Sequence, residues 1–197
     1  MFEVRPLAWD SPEANRFDAL LLASANTLRH GGAALESYRD LPVYAVGETT
    51  AQAARKAGFT LAQTGRGGLQ SLLATLAPDH RRLLRLGGRE RIDLRLPEGV
   101  RLAERAVYAS EALPMPAELA RMLDRPALVL LHSGRAAAHF ASECDRLGKP
   151  RDAISIAALA PRIAEAAGHG WRELDLAETT EEAALLALAR QICKEAR

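Results

Sequence analysis

The sequence has few cysteines and few aromatic residues, and it has no excess of charge of either sign. Of 197 residues only two are cysteine, Cys144 and Cys193, and aromatic residues make up 5%. Two cysteines cannot form a disulfide framework and neither has a partner at metal-site spacing, which favours a reducing compartment. With 26 basic and 25 acidic residues the net charge is +1, which argues against the basic face of a general nucleic-acid-binding protein.

Long hydrophobic runs and a secretory signal are also missing. No apolar run of about 18 residues occurs, and residues 1–9 lack a basic segment followed by an apolar one. We therefore expect a cytoplasmic protein that does not cross a membrane. Hydrophobic residues make up 48% of the chain, which is enough for one or two domains with a buried core.

Short apolar runs alternate with helix-forming segments. The runs predict strands at residues 18–23, 41–46, 59–62, 82–86 and 101–110. Helices are predicted at residues 27–30, 49–57 and 69–76. Gly87 and Gly88 are expected to end the fourth strand. This order of elements is typical of an α/β domain with a parallel sheet.

The pattern then repeats after about 110 residues. Ser133 follows a second apolar run 109 residues after Ser24, and Ile154 lies 111 residues after Val43. We interpret the chain as two copies of one α/β unit, although any two parallel-sheet segments resemble each other at this level. The second copy has three strands, and so thin a sheet leaves its edges unpaired, which indicates an incomplete domain.

The predicted strand ends carry glycines, hydroxyl side chains and the amides of helix starts. Ligands of open parallel sheets bind beyond the carboxyl ends of strands, and helix-start amides favour anions. No nucleotide-phosphate fingerprint follows a strand. Carboxylate binding is therefore the better hypothesis, and ordinary turn and cap chemistry is the alternative.

Arginine is concentrated between residues 81 and 105, where eight occur. Guanidinium groups bind carboxylates in a bidentate fork, so this segment suits a polyacidic ligand. Interleaved acidic residues allow the alternative of a solvated, internally balanced face. Arg89 is the strongest candidate because it follows Gly87 and Gly88 at a strand end.

Histidine and tyrosine give weaker signals. The five histidines show no metal-site spacing, so no metal site is expected. His132 and Ser133 are neighbours and point to opposite faces of a strand, which argues against a Ser–His pair. Tyr108 lies late in its predicted strand. Its side chain is either a half-buried packing residue or a hydrogen-bond donor that reaches a ligand.

Five segments together resemble the uroporphyrinogen-III synthase family. They are FDALLLASAN (17–26), VYAVGETTAQAA (43–54), LLRLGGR (83–89), VY (107–108) and VLLHS (129–133). Each is weak alone, but their order and spacing are specific. The resemblance covers almost the whole chain, from about Phe2.

The resemblance implies two flavodoxin-like or Rossmann-like α/β domains joined by a two-stranded linker. We expect linker strands at residues 1–10 and 106–116, a first domain at 11–105 and a second at 117–197. Members usually open with a further strand and helix, on the order of 30 residues, that belong to the second domain. Residues 2–6 resemble the linker strand that follows, so we expect this chain to lack that unit.

The resemblance also implies a reaction and its residues. Hydroxymethylbilane, a linear tetrapyrrole with eight carboxylates, is cyclised with inversion of ring D and loss of water, without metal or organic cofactor. Tyr108 matches the acid for the leaving hydroxyl. The matched substrate-binding positions are Ser24, Thr50, Gly87, Gly88, Arg89 and Ser133. Ala160 departs from the family, because relatives carry Ser or Thr before this proline.

Two other functions remain open at this point. One is a small-ligand binding module on a duplicated α/β fold, with no chemistry. The other is a phosphosugar enzyme that uses helix starts for phosphate, for which Glu48 and His132 are the only catalytic candidates. We expect a monomer that binds a small polycarboxylate, with a dimer through the incomplete second domain as the alternative.

Overall fold

The hydrophobic runs form two parallel sheets, each in its own part of the chain. The computed structural model describes residues 1–195. Phe2–Glu111 form one unit, called here the N-terminal unit. Met1 and Ala112–Arg197 form the other, the C-terminal unit.

The N-terminal unit is built on a six-stranded sheet in the order β1-β6-β5-β2-β3-β4. Its strands are β1 (Phe2–Pro6), β2 (Ala19–Leu22), β3 (Val43–Val46), β4 (Leu61–Gly65), β5 (Arg82–Gly88) and β6 (Arg101–Ala112). Its α-helices are α1 (Asn26–His30), α2 (Gly47–Lys56) and α3 (Leu69–Leu73). Strands β2 to β6 pair in parallel, so their carboxyl ends share one edge of the sheet.

Strand β2 shows why the apolar runs are continuous. All four of its residues are buried, but alternate side chains point to opposite faces of the sheet. Leu20 and Leu22 belong to one hydrophobic core, and Ala19 and Leu21 belong to a second core across the sheet. A strand covered on both faces needs apolar residues at every position.

The C-terminal unit has a three-stranded parallel sheet in the order β7-β8-β9. Its elements are α4 (Ala117–Met122), β7 (Ala127–Leu131), α5 (Gly134–Arg146), β8 (Ile154–Ala158), α6 (Pro161–Ala167), β9 (Glu173–Leu176) and α7 (Glu182–Glu195). Central strand β8 is buried along its whole length. Nowhere in residues 1–195 is there a helix with the length and apolar character needed to cross a membrane.

Two sequence predictions need correction. The third strand begins at Leu61 rather than at Phe59, because the Phe59 N–H donates to Ala54 O and closes the end of α2. The fourth strand was predicted to stop at residue 86 with Gly87 and Gly88 after it, but it extends through Gly87 and ends at Gly88. Both lie within β5 and pair with β6, across a shift in register between them.

A buried carboxylate in the C-terminal unit holds the segment after β6. Glu143 on α5 is 7% exposed, and it accepts hydrogen bonds from the Met115 backbone N–H and from the Arg146 guanidinium. These donors, Arg146 first, lower the pKa of Glu143 to about 2. The ionised form is therefore the one that the fold stabilises.

We predict that Glu143→Gln lowers the melting temperature at pH 7 by several degrees. A carboxyl whose pKa is lowered by folding stabilises the protein above its unfolded pKa, and this contribution is lost as the pH falls towards the folded value. The difference between the variant and the parent should therefore shrink between pH 4.5 and about 2. Thermal unfolding followed by circular dichroism measures the melting temperatures of variant and parent at each pH. Exposed Glu165→Gln is the control, and a difference that is independent of pH would contradict the assignment.

Candidate functional site

The carboxyl edge of the N-terminal sheet gathers the predicted site residues of that unit. Here β2 leads into Ser24, β3 into Gly47, and β5 into Arg89. Tyr108 on β6 lies at the same edge because it is the register partner of Gly88. Ligands of open parallel sheets bind at such an edge, so we describe its groups in turn.

Tyr108 packs directly on Gly88. A Cβ atom at position 88 would lie 2.9 Å from Tyr108 Cε2 and 3.3 Å from its hydroxyl oxygen. Position 88 must therefore be glycine for the ring to take this place, whereas a Cβ at Gly87 would meet nothing within 4 Å. The Arg89 N–H also donates to Tyr108 O at 2.8 Å, which fixes the backbone of the pair.

The Tyr108 hydroxyl is available for a ligand. The residue is half-buried, and its ring packs against the core of the N-terminal unit. The His30 ring at the end of α1 lies beside it, with 6.2 Å between the ring centroids. Within residues 1–195 the phenol makes no hydrogen bond, so its O–H can donate to a bound molecule. Sequence reasoning missed His30, because nothing in its spacing relates it to Tyr108.

Ser24 lies between β2 and α1. Its Oγ accepts a hydrogen bond from the Asn26 N–H at 3.2 Å, so the hydroxyl proton remains free to donate. The Thr27 hydroxyl donates to Leu86 O at 3.2 Å and ties α1 to β5. These contacts place the start of α1 beside the Gly88 end of β5.

Helix α2 exposes Thr49 rather than Thr50. Thr50 is 4% exposed and shares the buried face of the helix with Ala51 and Ala54. Gly47 begins the helix with φ of 75°, and no side chain caps its first N–H groups. Helical spacing from the two alanines is the signal that could have placed Thr50 on the inner face.

The arginines after residue 80 divide into two groups. Arg81, Arg82, Arg85 and Arg105 each bind acidic groups or carbonyls of the N-terminal unit. Arg89, Arg91, Arg95 and Arg101 have no side-chain hydrogen bond or ion pair to any described residue. Arg89 therefore remains a candidate ligand at the carboxyl edge, whereas the first group has structural partners.

Arg85 and Gln70 hold the loop that follows Arg89. Arg85 is 5% exposed and donates both to Glu104, at 2.8 Å, and to Ile92 O, at 2.9 Å. The Gln70 amide pairs with the backbone N–H and C=O of Arg95, both at 2.9 Å. This arginine-rich loop is thus attached at two points.

In the C-terminal unit the predicted position follows β7. Ser133 is exposed, and its Oγ accepts from the Ala136 N–H at 3.2 Å as the N-cap of α5. The neighbouring His132 pairs with Glu182 at 2.8 Å. Ala160 is the N-cap residue before α6 and provides no side-chain cap, so this position offers backbone groups only.

A family model described as "Uroporphyrinogen-III synthase HemD" matches residues 4–187. The chain belongs to the uroporphyrinogen-III synthase family. It is thereby a cyclising lyase of haem and tetrapyrrole biosynthesis, which confirms the family and function predicted from the sequence motifs. Membership also decides against the non-catalytic binding module and the phosphosugar enzyme.

Solved structures of synthases are similar to the chain. The uroporphyrinogen-III synthetase of Helicobacter pylori matches with a TM-score of 0.68 at 16% identity, over 97% of this chain and 90% of that chain. At this identity the likeness shows the fold, a mixed α/β fold with parallel sheets. The uroporphyrinogen III synthase of Thermus thermophilus matches at 21% identity over 99% and 87% of the two chains, with a TM-score of 0.44. No curated protein gives a significant match.

We predict that Gly88→Ala displaces the Tyr108 ring and that Gly87→Ala does not. The new methyl group at position 88 overlaps the far end of the half-buried Tyr108 ring, which must therefore move aside. With only three tyrosines in the chain, ring signals in NMR spectra report the shift directly. The Tyr38 and Tyr44 signals should stay in place, and equal effects of the two substitutions would contradict this geometry.

Proposed function

We propose that this chain cyclises hydroxymethylbilane with inversion of ring D and loss of water, with Tyr108 as the proton donor. The observation that carries the proposal is the half-buried Tyr108, packed on Gly88 at the carboxyl edge with no partner for its hydroxyl within residues 1–195. A phenol held by its ring and not by its oxygen can donate its proton to a bound molecule.

Anion donors at the same edge suit a polycarboxylate. The uncapped N–H groups of α2, the Ser24 hydroxyl and the Arg89 guanidinium are available to carboxylates. Helix-start amides and guanidinium groups are the donors that bind carboxylates best. We propose Ser24, Gly87, Gly88 and Arg89 as substrate-binding positions of this unit. Thr50 could contribute only at the little surface it exposes.

Proton transfer from Tyr108 starts the reaction. The phenol gives its proton to the terminal hydroxymethyl oxygen, the C–O bond breaks, water leaves, and a cationic azafulvene remains. The substituted α carbon of ring D bonds to this cation and gives a spiro intermediate. The older bond from that carbon to its bridge carbon then breaks, which leaves a second azafulvene cation on ring C. The free α carbon of ring D bonds to this bridge carbon, which inverts the ring, and the proton lost from that α carbon returns to the Tyr108 oxygen. The net change is loss of one water. Carboxylate contacts that fold the chain before closure would supply the selectivity for inversion.

The linker and the second unit belong to the proposal as well. We propose β1 and the distal part of β6 as the linker strands, near residues 1–10 and 106–116. The Leu7 N–H donates to Val107 O at 2.9 Å, and the Leu113 N–H donates to Met1 O at 3.0 Å, which supports antiparallel pairing along this length. Ser133 is the proposed substrate contact of the C-terminal unit.

We also propose that the enzyme works as a monomer in the cytoplasm. Both cysteines are free thiols, which suits a reducing compartment. Burial raises the pKa of Cys144 to about 11, so this thiol stays protonated and unreactive.

We predict that Tyr108→Phe lowers turnover roughly 100-fold, as expected for loss of a general acid, with little change in KM or melting temperature. The Tyr108 hydroxyl has no hydrogen-bond partner among residues 1–195, so the substitution removes no contact within them. A coupled assay that supplies hydroxymethylbilane measures the rate, and chromatography measures the ratio of inverted to non-inverted macrocycle.

Tyr38→Phe is the matched control. The Tyr38 hydroxyl is buried and hydrogen-bonded to Pro12 O and Ser11. Its loss should cost about 1 kcal/mol of stability and leave turnover intact. Unchanged turnover in Tyr108→Phe would remove Tyr108 from the mechanism.

A further inference from the structure

A cavity lined by arginines lies at the opposite, amino edge of the N-terminal sheet. Its volume is about 360 Å³, and it opens where β5 and β6 begin. Four guanidinium-bearing residues line it, namely Arg16, Arg82, Arg101 and Arg105. A cavity of this size is large enough for a small metabolite.

This cavity is separate from the Tyr108 site. Arg82 is the first residue of β5 and Gly88 is its last. At about 3.3 Å per residue the two ends of the strand are roughly 20 Å apart. Groups around Arg82 therefore cannot share a small ligand with Tyr108.

Two of the four arginines are neutralised by acidic groups of the same unit. Arg82 forms a 2.6 Å ion pair with Asp18, and this hydrogen bond lowers the pKa of the Asp18 carboxyl. Arg105 donates to Asp10 O at 3.0 Å and reaches its carboxylate at 3.3 Å. Both carboxylates are thus already engaged.

The other two arginines, Arg16 and Arg101, differ in this respect. Neither Arg16 nor Arg101 makes a side-chain hydrogen bond or ion pair with any residue from 1 to 195. Arg101 is the register partner of Arg82, so the two side chains leave the same face of neighbouring strands. Because Arg82 is already paired with Asp18, Arg101 brings an uncompensated positive charge to this end of the strand pair.

The remaining wall is apolar. Phe17 and Ala103 line the cavity together with Pro12. Arg16 and Arg101 are exposed to solvent, which screens their charges, so an anion needs direct hydrogen bonds to both guanidinium groups. An apolar wall beside two uncompensated positive charges suits a small organic anion.

We propose that this cavity binds a small molecule with two or more oxyanion groups, carboxylate or phosphate, through Arg16 and Arg101. Each guanidinium can bind one oxyanion in a bidentate fork. The site does not depend on the role assigned to Tyr108.

Isothermal titration calorimetry of the full chain with inorganic phosphate and with citrate, at constant ionic strength, tests the proposal. Chloride is the control titrant. Amide NMR shifts should map to the beginning of β5 and β6 and leave Gly88 and Tyr108 unchanged. Binding of one probe and not the other would support the site and identify the oxyanion. Binding of neither probe would overturn it.

Arg16→Gln and Arg101→Gln should each weaken binding roughly tenfold, since each removes a charge-assisted hydrogen bond. Turnover should not change. Without anion, the Arg101→Gln protein should melt at the parent temperature, because the exposed Arg101 side chain makes no hydrogen bond or ion pair with residues 1–195. Exposed Arg91→Gln, which does not line the cavity, is the control. Equal binding by the parent and the double variant would overturn the proposal.

Discussion

The pairing of β5 with β6 is the constraint on which the rest of the N-terminal unit depends. This parallel pair runs from Arg82 opposite Arg101 to Gly88 opposite Tyr108, with one shift in register just before the last pair. The shift brings the Tyr108 ring over a residue that has no side chain. The same pairing places two like charges opposite each other at the far end. Both the proposed catalytic group and the proposed anion cavity therefore follow from one strand alignment.

Family membership and residue geometry answer different questions. Membership assigns the reaction class and the place in tetrapyrrole biosynthesis. Geometry indicates which side chains at the carboxyl edge can bind a ligand. A side chain that already forms hydrogen bonds within the fold has fewer donors left for a ligand. By that criterion Arg85, which is tied to Glu104 and Ile92, is structural. The Arg89 and Tyr108 side chains have no hydrogen-bond partner within residues 1–195, which is why both are proposed as site residues.

Sequence patterns predicted the strands well where burial on both faces demands apolar residues at every position, as in β2. They were less successful where backbone hydrogen bonding determines the end of an element. The Phe59 N–H, for example, bonds to the end of a helix, so the strand does not begin there. Thr50 was matched through the family resemblance, and a motif carries no information on which face of a helix is buried. The arginine cavity could not be predicted, because Arg16 and Arg101 are brought together only by the tertiary fold.

The contact between Gly88 and Tyr108 has an evolutionary consequence. A methyl group at position 88 is compatible with this backbone only if the residue at 108 is smaller or turned away, and an aromatic ring at 108 requires glycine at 88. Among relatives that keep this strand alignment, the two positions should change together, while position 87 is free to vary. Covariation between positions 88 and 108 would then show in which lineages the tyrosine at 108 was gained or lost.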